Sequence, residues 1–271
     1  MNTIKTVAEI FQERMNECVD ILSKRFLCSV RPIYGSNEQN KPYHIGSCVL
    51  IAVGAKKYLV TAAHVIDHND RSTLYVAGTT NLVKIEAECI ISKSIDGSRK
   101  NDKFDFAVMS LSDQVVQELG TGTKFLKESD ILLATPKQRS LYLALGYPNS
   151  RNKTNNLNLS VSQNPFVFSS TLVDNPDIFK GISVSAETHY LLDFCRKHSK
   201  DVNNKIVNSI SPIGASGGGL FFIDAVSNPE NLRPGSGCTG KLVGILVEHH
   251  KTHKIILATK LTLVMNAIKS I

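Results

Sequence analysis

Segment 214–219 carries the residue types needed for nucleophilic acyl transfer. It places Ser216 among four glycines, the first of which is Gly214. Glycine lets the backbone form a tight turn whose N–H groups converge on one point, and that point could hold an oxyanion beside the serine hydroxyl. The alternative for this segment is a flexible glycine-rich turn without chemistry.

A histidine suited to proton transfer ends the apolar segment 58–64. His64 follows two alanines, and these small neighbours would leave its imidazole at the end of a strand, open to a cleft. The near-neutral pKa of histidine suits a general base. A structural histidine in the core is the alternative interpretation.

A carboxylate stands at the head of the apolar segment 105–111. Asp105 is flanked by Phe104 and Phe106, which could exclude water from it. A buried carboxylate needs a hydrogen-bonded partner, and an imidazole N–H would serve. An aspartate that caps a turn is the alternative, and Asp102 is a nearby competitor outside the apolar run.

The spacing of apolar residues predicts the elements that position these three side chains. Residues 3–24 have helical spacing, and Thr6 with Glu9 resembles a capping box. Short segments bounded by turn residues follow, which predicts strands. The predicted strands are 28–34, 46–53, 58–61, 72–77 and 82–91, then 140–145, 220–223, 241–247 and 254–259. Further helices are predicted over 187–197 and 261–268.

In their order along the chain, the three segments resemble the motifs of the chymotrypsin/trypsin-like serine peptidases. Segment 61–64 (Thr-Ala-Ala-His) corresponds to the histidine motif, 105–108 (Asp-Phe-Ala-Val) to the aspartate motif and 214–218 (Gly-Ala-Ser-Gly-Gly) to the nucleophile motif. The resemblance covers residues 28–271. It implies an all-β, double β-barrel chymotrypsin-like fold, with an added N-terminal helix and a C-terminal helix.

The same resemblance divides the chain and assigns roles. Residues 1–27 would form the N-terminal amphipathic helix, 28–115 the first barrel, 116–139 a linker, and 140–271 the second barrel with inserted loops and the C-terminal helix. Ser216 would attack a peptide carbonyl, His64 would accept and return its proton, and Asp105 would orient His64. The N–H groups of Gly214 and Ser216 would form the oxyanion hole.

Three positions depart from the family pattern. Ala215 replaces an aspartate found in digestive members, so activation by a newly cut N-terminus pairing with that aspartate is excluded. Gly219 stands where proline is usual, which loosens the turn. Val247 stands where many members have a serine that supports the triad aspartate.

The resemblance also indicates where a substrate side chain would bind. Ile210 falls near the base of the primary pocket, which suggests an apolar or small substrate residue. Val247, Glu248 and His249 fall on the adjacent wall, and a charged wall residue could overrule that preference.

Composition narrows the class of protein further. The net charge of +7 is spread along 271 residues, so a solvated surface explains it better than a nucleic-acid site. No stretch approaches the ~20 apolar residues that span a bilayer, and the N-terminus lacks a secretion signal. Six widely spaced cysteines predict reduced thiols. These features favour a soluble, cytoplasmic, bacterial protein without membrane attachment.

No cofactor is expected. Segment 248–253 (Glu-His-His-Lys-Thr-His) could suggest a metal site, but it is interpreted as a turn between two strands and no metal is expected there.

These observations predict a serine endopeptidase that performs limited, regulated intracellular proteolysis of a protein or peptide substrate. Two alternatives stay open. The chain could be a catalytically silent peptidase-like binding or scaffolding module. It could also be a latent enzyme whose N-terminal helix docks a regulatory protein partner, although that helix could equally pack against the core.

Overall fold

The computed structural model describes residues 5–39, 41–94, 96–136, 140–152, 154–155, 160–161, 163–195, 199–200, 206–207, 209–224 and 236–270. Helix α1, Val7–Phe26, begins with the predicted capping box, in which Thr6 and Glu9 satisfy each other's backbone N–H groups. One stripe of this helix is fully buried and includes Leu22 and Phe26. Burying each of these two side chains contributes about 1.5–3 kcal/mol.

The first sheet is antiparallel and has seven strands in the order β5-β4-β1-β2-β3-β7-β6. Its strands are β1 Val30–Ser36, β2 Pro42–Val53, β3 Lys56–Thr61, β4 Leu74–Ala77, β5 Leu82–Lys84, β6 Cys89–Ile91 and β7 Ala107–Leu111. The short helix α2, Ala63–Ile66, follows β3 directly, and α3, Asp113–Glu118, follows β7. The sheet curls around its own apolar core, which includes Leu50, Leu59 and Leu119.

The second sheet is also antiparallel, with six strands in the order β11-β8-β15-β16-β17-β12. Its strands are β8 Leu141–Gly146, β11 Phe166–Ser170, β12 His189–Asp193, β15 Gly219–Ile223, β16 Gly240–His250 and β17 Ile255–Lys260. A bridge between Leu172 and Leu192 brings its two edges together. Two ribbons lie outside it, β9 Thr154–Asn155 with β10 Ser160–Val161, and β13 Ser199–Lys200 with β14 Ile206–Val207.

A shared core joins the two sheets. It contains side chains from both sheets, from α1 and from the last helix, α5 Leu261–Lys269. Phe26 of α1 stacks on Phe221 of β15, with 4.3 Å between ring centroids. The two curled sheets with terminal helices confirm the predicted double β-barrel fold. The buried stripe of α1 therefore belongs to the core.

Three predictions made from the sequence are wrong in detail. Residues 187–193 form no helix, because β12 occupies His189–Asp193, and residues 196 and 197 of that prediction lie outside the described residues. The predicted strand 82–91 is two strands, β5 and β6. Cys18 and Cys238 form a disulfide, with 5.3 Å between their Cα atoms, where reduced thiols were expected.

The sequence could not reveal this disulfide because the two cysteines are 220 residues apart.

Helix α4, Pro176–Gly181, covers the outer face of β12 and β17. Among the described residues, no helix is long and apolar enough to cross a bilayer.

Candidate active site

His64, in helix α2, and Asp105, two residues before β7, are in direct contact. One residue after β3, helix α2 begins at Ala63, which is fully buried and donates its N–H to the Asp105 carbonyl at 3.1 Å. The Asp105 carboxylate accepts hydrogen bonds from the His64 backbone N–H at 2.9 Å and from His64 Nδ1 at 2.7 Å. Because the alanine side chains are small, the imidazole can lie directly against this carboxylate.

Asp105 adopts an unusual backbone conformation, with a φ of 43°. Such a conformation costs a non-glycine residue about 1–3 kcal/mol and persists only where its surroundings fix it. Asp102 supplies part of that support, since one of its carboxylate oxygens accepts the N–H groups of Phe104 at 3.1 Å and Asp105 at 3.2 Å. Asp102, the competitor in the sequence, thus shapes the loop that presents Asp105.

The second barrel supplies the rest of that support. Thr259 of β17 donates its hydroxyl to the Phe104 carbonyl at 2.5 Å. His189 of β12, which is almost fully buried, has Nε2 2.8 Å from the Lys103 carbonyl. Burial lowers the pKa of His189 to about 4, so the ring is neutral near pH 7 and donates this hydrogen bond. The loop before Asp105 is therefore held by both barrels.

Arg99 ties the histidine helix to the aspartate loop. Its guanidinium donates two hydrogen bonds to Asp67, just after α2, at 2.7 and 2.9 Å. It also donates to Asp102 at 2.5 Å. A planar guanidinium suits such bidentate pairing. Sequence reasoning missed Arg99, because its partners lie in two separate segments.

The surroundings of His64 set its basicity. Burial is the largest effect and lowers the pKa of the imidazole. The hydrogen bond and charge of Asp105, together with the charge of Asp67, outweigh burial and raise the pKa of His64 above its ordinary value, although Arg99 opposes them. His64 is thus a stronger base than an isolated histidine.

The turn that carries Ser216 depends on two glycines with positive φ, Gly214 at 95° and Gly217 at 85°. A Cβ on Gly217 would lie 1.9 Å from the Ser47 carbonyl oxygen, and one on Gly214 would lie 1.9 Å from Asn149 Oδ1. Both positions therefore require glycine, for the backbone angle and for space. In the structure, segment 214–219 therefore forms a defined turn whose backbone angles need glycine.

Ser47 of β2 fastens this turn to the first barrel. Its N–H donates to the Ser216 carbonyl at 2.8 Å, and its hydroxyl donates to the Gly214 carbonyl at 3.2 Å. The same hydroxyl accepts the N–H of Tyr147 at 2.8 Å. Ser47 is fully buried. This role could not be predicted from the sequence, because a serine inside a strand has no distinctive spacing.

The N–H groups of Gly214 and Ser216 remain open to a ligand. In the described part of the chain, neither group donates a hydrogen bond. Both residues line the same cleft as His64 and Asp105. Two unpaired N–H groups beside a hydroxyl have the chemistry that an oxyanion requires.

The Ser216 hydroxyl donates its hydrogen bond to the Val247 carbonyl, at 2.8 Å. A hydroxyl carries one hydrogen, so in this arrangement the hydrogen is directed to β16 and away from His64. A hydroxyl rotates about its Cβ–Oγ bond, so this hydrogen can also take other directions.

The cleft around these residues has a volume of about 840 Å³. Val247, Glu248 and His249 line it, and their contact with a substrate stays a prediction. Glu248 lies 3.1 Å from Nε2 of His250, and the interaction with His250, which is the largest effect, lowers the pKa of Glu248. Ile210 is half-buried and is not part of the cleft wall, so its place at the pocket base stays a prediction.

Segment 248–253 comprises the end of β16 and the turn that starts at Lys251, in keeping with the predicted turn. Among the described residues, no three His, Cys, Asp or Glu side chains are grouped as metal ligands.

Comparison with solved structures finds serine proteases among the similar folds. Neuropsin, a serine protease expressed in the limbic system of mouse brain, is similar over 89% of this chain and 93% of its own, with 14% identity and a TM-score of 0.54. The thermostable serine protease AL20 from an extremophilic microorganism is similar over 86% of this chain and 90% of its own, with 16% identity and a TM-score of 0.46. No protein-family model and no curated protein sequence matches the chain. The likeness to neuropsin shows the fold, and this chain has the double-barrel fold of the chymotrypsin/trypsin-like serine proteases.

Proposed function

We propose that this chain is a serine endopeptidase with Ser216 as nucleophile, His64 as general base and Asp105 as the carboxylate that orients the imidazole. The observation that carries the proposal is the convergence of one hydroxyl, one hydrogen-bonded His–Asp pair and two unpaired N–H groups in a single cleft. Each group alone has a structural explanation. Together they form the set that acyl transfer needs.

The proposed reaction begins when Ser216 Oγ attacks the carbonyl carbon of a peptide bond. The Oγ–C bond forms while His64 Nε2 accepts the hydroxyl proton, and the carbonyl oxygen becomes an oxyanion held by the N–H groups of Gly214 and Ser216. One such donor stabilises the transition state by about 3 kcal/mol. The C–N bond then breaks as His64 returns the proton to the leaving amine, and water hydrolyses the acyl ester by the same route.

The Asp105 carboxylate favours this role for His64 by accepting a hydrogen bond from Nδ1. A neutral imidazole has one N–H group, so fixing it at Nδ1 leaves Nε2 as the acceptor. The charge of Asp105 also stabilises the imidazolium that forms when the proton arrives. Arg99 binds both Asp67 and Asp102, and it thereby fixes helix α2, which carries His64, relative to the loop that carries Asp105.

A catalytically silent binding module is the second candidate function. The observation that favours it is the hydrogen bond from Ser216 to the Val247 carbonyl, which directs the hydroxyl hydrogen away from His64. Reaction with a fluorophosphonate distinguishes the two functions, because it requires an activated serine and no particular peptide sequence.

Limited, regulated proteolysis and a cytoplasmic location remain part of the proposal. The Cys18–Cys238 disulfide is more typical of an oxidising compartment than of the cytosol. The proposed chemistry does not depend on the compartment.

Docking of a partner through α1 would have to use its exposed side chains, such as Val7 and Phe11, because its opposite stripe is in the core.

The proposed activity is tested by mass-spectrometric mapping of new N-termini in a denatured protein mixture. Wild-type protein is compared with Ser216→Ala and, as a surface control, with Ser270→Ala. The proposal predicts new N-termini from wild type and the Ser270 variant, with a shared sequence preference, and none from the Ser216 variant. Equal cleavage by the Ser216 variant would show that the activity comes from another protein.

A further inference from the structure

A second cavity, of about 530 Å³, lies in the second barrel and shares no lining residue with the Ser216 cleft. Its walls come from β8, β12, the end of β17, helix α4 and segment 171–174. Leu172, Phe179 and Leu191 give it an apolar side, and Tyr142 and Tyr190 line it as well. A volume of this size is typical of small-molecule sites, which combine an apolar lining with a few polar groups.

Lys260 is unusual among the residues that line this cavity, because it is a mostly buried lysine. This residue lines the cavity and is about nine-tenths buried. Among the described residues, its ammonium has no ion-pair partner and no hydrogen-bond acceptor. The Nζ atom itself is not among the fully buried side-chain atoms, so the ammonium keeps some access to solvent, but a lysine this buried is usually paired.

The neighbours of Lys260 stabilise its positive charge only in part. Its Nζ lies 4.8 Å from the centroid of the Tyr190 ring, a cation–π contact worth about 0.5–2 kcal/mol. The carboxylate of Glu187 acts on it through charge alone and is exposed. His189 is neutral near pH 7, and both of its ring nitrogens are engaged, by Thr188 and by Lys103.

We propose that this cavity is a binding site for a small organic carboxylate with an apolar body, whose carboxylate pairs with Lys260. The apolar body would lie against Leu172, Phe179 and Leu191. A carboxylate fits better than a phosphate group, because a phosphate is usually held by several donors or by a guanidinium and the described part of this wall offers one ammonium. Asp174 lies exposed at the cavity and would repel a second negative charge.

Isothermal titration with sodium decanoate tests the proposal, and decanol serves as the uncharged probe of the same length. The Ser216→Ala protein is used as the background, so that binding is measured independently of the proposed peptidase activity. Saturable 1:1 binding of decanoate is expected, with decanol at least tenfold weaker. No saturable binding of decanoate, or equal binding of decanol, would overturn the proposal.

Variants locate the site. Lys260→Met is expected to weaken decanoate binding at least tenfold, whereas Lys180→Met, an exposed lysine of α4, should change it less than twofold. If the Lys260 variant does not fold, Ala186→Trp keeps the ammonium and places a bulky ring at the exposed rim of the cavity. Decanoate affinity that is unchanged in a folded Lys260 or Ala186 variant would contradict the assignment of the site.

Discussion

Asp105 accepts two hydrogen bonds from His64, one from its backbone N–H at 2.9 Å and one from Nδ1 at 2.7 Å. The first fixes the start of helix α2 relative to the carboxylate, and the second fixes the imidazole ring. The two bonds use different carboxylate oxygens, so the group acts as a rigid link between two segments 41 residues apart.

Asp105→Asn should therefore impair catalysis far more than folding. The amide keeps the size of the side chain, but it can donate a hydrogen bond to the ring and favour the wrong imidazole tautomer. We expect kcat on a peptide substrate to fall about 10⁴-fold. Asp20→Asn, at an exposed ion pair of α1, is the control and should leave kcat unchanged. A tenfold or smaller loss for the Asp105 variant would argue against its proposed role.

The pH dependence of kcat/KM should report the raised pKa of His64. Burial, the largest effect, lowers this pKa, but the hydrogen bond to Asp105 and the nearby carboxylates raise it overall. A general base must be unprotonated, so activity should rise with pH through a midpoint above the ordinary histidine value of about 6.5.

Asp67→Asn removes a charge that raises the pKa of His64, and among the described residues it leaves Asp102 as the one carboxylate paired with Arg99, whose charge lowers that pKa. Both changes act in the same direction, so the acid limb of the profile should move to lower pH. NMR titration of the His64 ring provides a readout independent of turnover. A midpoint that is unchanged or moves upward would contradict this account.

Ser47→Ala should destabilise the protein by about 1–3 kcal/mol, because it leaves the Tyr147 N–H without its acceptor in a buried site. It also removes the hydroxyl that holds the Gly214 carbonyl. Chemical denaturation measures the first effect, and kcat/KM on a peptide substrate measures the second. Ser270→Ala, on the exposed end of α5, should change neither quantity. Wild-type stability of the Ser47 variant would show that another group replaces the hydroxyl.

Reduction of the Cys18–Cys238 disulfide should lower the melting temperature. The bond closes a loop with a sequence separation of 220, and a cross-link over so long a loop contributes about 5 kcal/mol in the chain-entropy account. Thermal unfolding of wild type with and without reductant measures the effect. Cys18→Ala should show the lowered temperature in both conditions, whereas Cys28→Ser should retain the sensitivity of wild type to reductant.

The sequence was sufficient to predict the architecture and the parts of the site that are local in the chain. The small residues before His64 and the glycines around Ser216 leave clear patterns, because each is required by a backbone geometry within a few residues. The capping box of α1 is equally local. Such features can be predicted because the interacting groups are neighbours in sequence.

The missed features depend on contacts between distant segments. Ser47 and His189 support the site through partners in the other barrel, and Arg99 joins segments of the first barrel that are 32 residues apart. The error at residues 187–197 has a different cause. Residues 189–192 of β12 are buried on successive positions, and a short continuous apolar run is compatible with a helix or a strand.

The central claim is that Ser216 is a nucleophile activated by His64, and covalent labelling with a fluorophosphonate tests it most directly. The labelled protein is digested, and mass spectrometry locates the phosphonylated residue. The proposal predicts one adduct, on Ser216, that is absent from Ser216→Ala and forms about 10²–10⁴-fold more slowly in His64→Ala. An unlabelled Ser216 in folded wild-type protein, or an equal labelling rate in the folded His64 variant, would contradict it.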